Sequence, residues 1–245
     1  EVGKNGSQEK KRARSKWRQE RVNAPARRAW DHEGSSGGMT MELLKAIQSR
    51  RSIRKFKSDE VPDAVIRELL DAARLAPSGS NLQATRFVVI KSPVERMKLK
   101  ECTPLSFVAH APVIIACCID REAMGNTLVR YRELMEAQAF AGTPLDDDPA
   151  LLEAAAKRQS SMDQATVKAY LTLNAAIAIE HIVLRAVDLG LGSCWIMMFN
   201  SAKTKRMLEL DDRYDVVALL PVGYPDQSPA ARPRLPLEEL ILKEV

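Results

Sequence analysis

The chain has 245 residues of ordinary globular composition, 45% hydrophobic and 28% charged, with a formal net charge of +5 at pH 7. No apolar run reaches the roughly 18 residues that a bilayer span requires, which sets aside a membrane protein in favour of a soluble one. The excess charge sits in residues 1–38, with 10 Lys/Arg against 5 Asp/Glu, whereas residues 39–245 hold 27 of each, so the domain itself offers no net basic charge to nucleic acid.

Residues 1–38 are rich in Lys, Arg, Gln, Ser and Gly, and Trp17 and Trp30 are their only large apolar side chains. Such a segment cannot bury enough apolar surface to fold alone. The chain begins without Met, and Gly34-Ser35-Ser36-Gly37-Gly38 precedes Met39 and Met41. The segment therefore reads as a leader from cloning or upstream translation, with the native start at Met39 or Met41. A basic arm touching nucleic acid or anionic lipid is the alternative. One domain is expected over residues 39–245.

A short helical pattern runs from Met41 to Ser49 and gives way to Arg50-Arg51-Ser52-Ile53-Arg54. Guanidiniums are planar forks that match phosphate and stay charged at any physiological pH. Taken alone, the cluster also fits a solvated basic turn. A helix is predicted from about Pro62 to Leu75, capped by Ser58 or Asp59, with Ile66, Leu69, Leu70 and Ala73 as its apolar stripe. Pro77 and Gly79 end it. Phe87–Ile90 reads as a strand, Pro93 to about Lys100 as a helix, and Val113–Ile119 as a buried strand.

Residues 121–162 break the rhythm. Two polar helical pieces are expected there, joined by a loop holding Gly142-Thr143-Pro144 and Asp146-Asp147-Asp148. They read equally as a substrate lid, with Arg130 and Tyr131 as candidate contacts, or as a packed peripheral pair. Gln164–Leu189 is the strongest helix and is apolar nearly all round from Ala175 to Val187, the mark of a helix buried in a large core or between subunits. Gly190 and Gly192 end it. A strand over Ser193–Met198, a helix from Ser201 to Leu210 and a buried strand over Val216–Val222 follow. The interspersed elements make one α+β or α/β domain.

Cys102, Cys117, Cys118 and Cys194 form no CxxC pair and read as buried thiols in a reducing, cytoplasmic compartment. Adjacent Cys117 and Cys118 should face opposite sides of their strand. His32, His110 and His181 lack zinc-ligand spacing, so no metal is expected, and His110 and His181 read as structural. A GxGxxG turn, a GxxxxGK[ST] loop, a GxSxG elbow and an HExxH pair are all absent. Chemistry must come from something bound.

Five stretches in order resemble the nitroreductase family of FMN-dependent oxidoreductases, over about residues 41–242. They are Arg50–Arg54, the Pro77–Gln83 loop with Arg86–Ile90, Gly190–Ile196, Pro221-Val222-Gly223-Tyr224-Pro225, and Arg232-Pro233-Arg234. The resemblance implies an α+β fold with a central, mostly antiparallel sheet flanked by helices. It implies an intertwined homodimer with FMN at the subunit interface, NADH or NADPH as electron donor, a ping-pong cycle, and a small acceptor such as a nitroaromatic or quinone. Arg50, Ser52, Arg232 and Arg234 match positions that hold the FMN phosphate and ribityl chain. Arg51 lines the same pocket, and Arg54 matches the basic residue beside flavin N1 and O2. Pro77, Ser78, Gly79, Asn81 and Gln83 match the loop that the second subunit lays over the flavin. Trp195, Ile196 and Met197 match the strand against the isoalloxazine, with a backbone N–H of this stretch directed at N5. Many relatives carry Pro-x-Glu-Gly where this chain has Trp195-Ile196-Met197-Met198. No protein nucleophile is implied, so no catalytic side chain is assigned. Other readings are a reductive dehalogenase of the same fold and an FMN-binding sensor without turnover.

Overall fold

In the computed structural model, residues 41–148 and 150–245 are described. The leader expected at residues 1–38, Met39 and His32 lie outside the described residues. Four strands form an antiparallel sheet in the order β1-β2-β4-β3: β1 is Thr85–Ile90, β2 Val113–Asp120, β3 Gly192–Ser193 and β4 Tyr214–Gly223. β2 is buried along its whole length because both faces of the sheet are covered. Val113, Ile115 and Cys117 enter one core, and Ile114, Ala116 and Cys118 enter the other. The period-2 alternation thus puts the adjacent cysteines on opposite faces, as expected. All four cysteines are buried and free. Burial pushes the Cys118 thiol up to about 12 and that of Cys117 further still, so neither is a thiolate at neutral pH.

The first face is covered by α2, Asp63–Arg74, and α7, Gln164–Asp188. Ile66, Leu69 and Ala73 of α2 and Ala178, Ile179, Ile182, Val183 and Ala186 of α7 pack on Leu220 and Val222 of β4. By length and composition α7 would pass for a membrane span, although no uninterrupted apolar run in the sequence is that long. Its buried residues pack on the sheet and α2, as those of a core helix do. His181 bears out its structural reading, because its Nδ1 lies 3.1 Å from the Ala72 carbonyl oxygen. The second face is covered by Leu99, Cys102 and Val108, which follow α3, Pro93–Lys98, and by Met207 and Leu208 at the end of α8, Ser201–Met207.

Two expectations are corrected. The residue capping α2 is Pro62, with no side-chain cap hydrogen bond, rather than Ser58 or Asp59. Its ring holds the extended entry to the helix, and Asp63 supplies the first-turn negative charge. The strand expected over Ser193–Met198 is regular only at Gly192–Ser193. Cys194 N–H donates to the Pro221 carbonyl oxygen at 3.3 Å, but Pro221 has no N–H to return, so the ladder loses a rung. Pairing resumes only at Ile196, which exchanges bonds of 2.9 and 3.0 Å with Leu219.

Residues 121–162 form a 3₁₀ turn, Arg121–Asn126, then α4, Thr127–Glu136, a one-turn α5, Pro144–Asp147, and α6, Ala150–Ser160. They carry a small core of their own, Tyr131, Leu152 and Ala156, with Tyr131 edge-on to Phe140 at 6.4 Å. The two helical pieces therefore pack on each other.

Candidate functional site

The first helix, α1, Leu43–Ser49, ends where Arg50 turns extended. Residues 50–54 then run beside β3: Ser52 bridges to Ser193, and Ile53 N–H donates to the Ser193 carbonyl oxygen at 2.9 Å. Ile53 is the anchor. It is buried against Gly192, where a Cβ would sit 2.5 Å from Ile53 Cγ1. Only glycine admits that approach, so the arginines on either side of Ile53 are referenced to the sheet.

Arg50, Arg51, Ser52 and Arg54 line a cavity of about 250 Å³ together with Arg232 and Arg234 from the C-terminal segment. No Asp or Glu lines it, and none of its five guanidiniums forms a salt bridge among the described residues. A larger cavity, about 810 Å³ between α2, β1 and α3, differs in kind, because there Lys91 pairs with Asp63 and Lys98 with Glu95. Five unpaired cations converging on one cavity repel one another, and an anion relieves that repulsion. Two or more guanidinium forks are the donor set a phosphate requires.

The segment after β3 borders this cluster. Burial raises the Cys194 thiol, while Arg54, Ser52, Arg232 and Arg50 pull it the other way, which places Cys194 within their field. Ile196 is buried and its backbone is paired, so it acts here as an anchor. The Trp195 and Met197 N–H groups have no partner among the described residues. Met197 and Met198 are exposed, at 67% and 63%. The buried Trp195 Nε1 also lacks an acceptor. The two unpaired backbone donors just past Cys194 suit a flat heteroaromatic ligand with acceptor atoms.

The loop Pro77–Gln83 stands apart from this cluster. Pro77, Ser78 and Gln83 line a second cavity of about 250 Å³, with Arg74, Arg86 and Asn174. Ser80, Asn81 and Gln83 have φ of 53°, 50° and 48°, in the left-handed region. Such residues cost about 1–3 kcal/mol each and persist only where their surroundings hold them. Gly79 N–H donates to Asn174 Oδ1 at 2.6 Å, and Gln83 N–H donates to Ser78 Oγ at 3.0 Å. Leu82 and Ala84 anchor the far end in a buried cluster with Val167 and Leu171. Gly79 supplies space: a Cβ there would sit 1.8 Å from the Tyr170 hydroxyl.

Within one chain the anticipated residues thus form two groups, the arginines with residues 194–197 and the Pro77–Gln83 loop. Asn174, Ser80 and Gln159 escaped the sequence reading. Asn174 had a visible signal, as an amide at the head of the apolar stretch that begins at Ala175.

A model of the nitroreductase family matches residues 47–224. A Thermus thermophilus protein named NADH dehydrogenase is 31% identical over 82% of this chain and 96% of its own length. A Streptococcus pyogenes protein described as an NAD(P)H nitroreductase is 28% identical over 82% of this chain and 98% of its own. Among solved structures, a nitroreductase family protein from Streptococcus pneumoniae is 27% identical, with a TM-score of 0.69 over 83% of this chain and all of that one. A nitroreductase-type protein from Exiguobacterium sibiricum, solved in complex with FMN, is 20% identical, with a TM-score of 0.73 over 85% of this chain and all of that one, and shares the fold.

Proposed function

This chain belongs to the nitroreductase family, and on that premise we propose that it is an FMN-dependent oxidoreductase that draws electrons from NADH or NADPH and passes them to a small acceptor such as a nitroaromatic or quinone. One observation carries the reading: five unpaired guanidiniums and Ser52 surround a cavity that no carboxylate lines. The FMN complex of the Exiguobacterium sibiricum protein and the electron donors in the names of the relatives support it.

Arg50, Ser52, Arg232 and Arg234 would hold the phosphate, with Arg51 at the rim. Arg54 would place a cation where negative charge gathers on the reduced ring. The open Trp195 and Met197 N–H groups would donate to ring acceptor atoms. When bound, FMN supplies two-electron hydride chemistry, and the chain supplies position and charge.

The reading includes a homodimer in which loop Pro77–Gln83 of one subunit covers the site of the other. Its support is an apolar face left open on one chain: Leu43, Leu44 and Ile47 of α1, beside Leu173 and Ile177 of α7, are exposed although large and apolar. Light scattering that gives the mass of a single chain for the flavin-loaded protein would refute this part. The enzymatic reading is tested by anaerobic titration of the FMN-loaded protein with NADH and then NADPH. Bleaching of the oxidised band near 450 nm (about where flavins absorb) is expected within seconds. A flavin that binds and stays oxidised with both donors would refute it.

A further inference from the structure

The conformation of the Pro77–Gln83 loop is held from outside by the helical insertion. Ser80, whose φ of 53° is the largest of the three left-handed angles in the loop, points its hydroxyl at two side chains of that insertion. Ser80 Oγ lies 2.9 Å from Tyr131 Oη, and Gln159 Nε2 donates to Ser80 Oγ at 2.7 Å. Thr127 Oγ1 lies 2.9 Å from Gln159 Oε1 and 2.8 Å from the Met124 carbonyl oxygen, so it ties the Gln159 amide to the start of α4. Tyr131 and Gln159 come from α4 and α6, the two helices that close over the insertion's own small core. The neighbouring Asn81 side chain makes no hydrogen bond among the described residues and is free to meet a ligand.

We propose that the α4–α6 insertion is a brace for the loop Pro77–Gln83, with Tyr131 and Gln159 as positioning residues that act through the Ser80 hydroxyl. The brace keeps Ser80 and Asn81 left-handed and so presets the Asn81 amide and the loop backbone. Its effect on cofactor affinity rests on the reading that this loop covers FMN; its effect on loop order does not.

The test is a double-mutant cycle in the full chain with Tyr131→Phe and Ser80→Ala, read by FMN dissociation constant and by amide hydrogen exchange of residues 79–83 with and without FMN. Tyr131→Phe keeps the ring that packs on Phe140, so the fold is preserved, and melting curves check this. Tyr131→Phe is expected to weaken FMN about three- to tenfold and to speed exchange at 79–83 by a similar factor, the worth of one hydrogen bond, and Ser80→Ala, which also loses the bond from Gln159, by at least as much. The double variant should be no worse than Ser80→Ala alone, because that variant already removes the Tyr131 contact. Gln159→Leu should behave alike, and Gln159→Glu, which still offers Ser80 a hydrogen-bonding oxygen, should restore part of the protection. Effects that add, or exchange at 79–83 that stays at the wild-type rate, would overturn the brace. A wild-type chain that binds no FMN would instead overturn the functional reading, and the exchange data would still decide the brace.

Discussion

Removing Arg232 and Arg234 together isolates the cation cluster from the fold. Both side chains are exposed, and the one hydrogen bond between them and the described residues joins Arg234 to the carbonyl of its neighbour Pro233 at 3.2 Å. Truncation should therefore change stability by no more than about 0.5 kcal/mol. A hydrogen bond to a charged group contributes about 1.5–3 kcal/mol, and the open mouth of the cavity puts these two near the lower end. Together they amount to about 3–4 kcal/mol, or two to three orders of magnitude in the FMN dissociation constant at about 1.4 kcal/mol per tenfold. The assay is quenching of FMN fluorescence on titration with flavin-free Arg232→Ala/Arg234→Ala protein, alongside a thermal melt. Raising the salt should weaken the wild type more than the variant, since the variant has already lost two screened charges. A dissociation constant within threefold of wild type, with the same Tm, would mean that the phosphate lies elsewhere and would sink the assignment of the arginine cavity.

Gly192→Ala should cost about 1–3 kcal/mol by driving a methyl group into Ile53, and it should lower flavin affinity because Ile53 anchors the arginine segment; full affinity in a destabilised variant would uncouple the two. Asp120→Asn should destabilise the fold by about 1.5–3 kcal/mol in urea, since this buried carboxylate accepts from Arg213 Nε and Nη2 at 3.1 and 2.5 Å; a loss under about 0.5 kcal/mol would place the pair among ordinary surface bridges. Asp163 caps α7, and the backbone hydrogen bond from Thr166 holds its pKa below the usual aspartate range. The unfolded chain therefore takes up that proton more readily, so the cap stabilises fully above about pH 4 and is lost as the pH falls through the lowered folded value. Asp163→Ala should lower the Tm at pH 7 and converge on wild type in strong acid, and a gap that persists at pH 2 would contradict this.

The sheet and α2 could be read from the sequence because their apolar periods are unbroken: β2 is buried on both faces, and Ile66, Leu69 and Ala73 recur on one side of α2. The end of β3 could not. Its irregularity comes from Pro221 in a partner strand 27 residues away, and a local pattern carries no information about who lies alongside. The Pro77–Gln83 loop hid its conformation for a different reason. Positive φ is usually marked by glycine, yet here Ser80, Asn81 and Gln83 carry it, while Gly79 is small to admit Tyr170. Ser80 itself gave no sign, since its partners Tyr131 and Gln159 lie 51 and 79 residues away.

The two groups of candidate site residues are supported in different ways, and the difference fits the role proposed for each. The arginine segment is bridged to the sheet at Ser52 and Ser193 and locked by Ile53 against Gly192, so its charges stay convergent in spite of their mutual repulsion. Rigid support suits that group, because a phosphate is recognised by the fixed geometry of several forks. The loop has no strand to lean on. It is held by side chains from three separate helices, Tyr131 from α4 and Gln159 from α6 on the left-handed Ser80, and Asn174 from α7 on Gly79. Strain held by a few hydrogen bonds can be released by losing one of them, which strain buried in a packed core cannot. Substitutions that tune the loop without harming the fold are therefore to be sought on the insertion, and those that test the proposed anion site on residues 50–54 and 232–234.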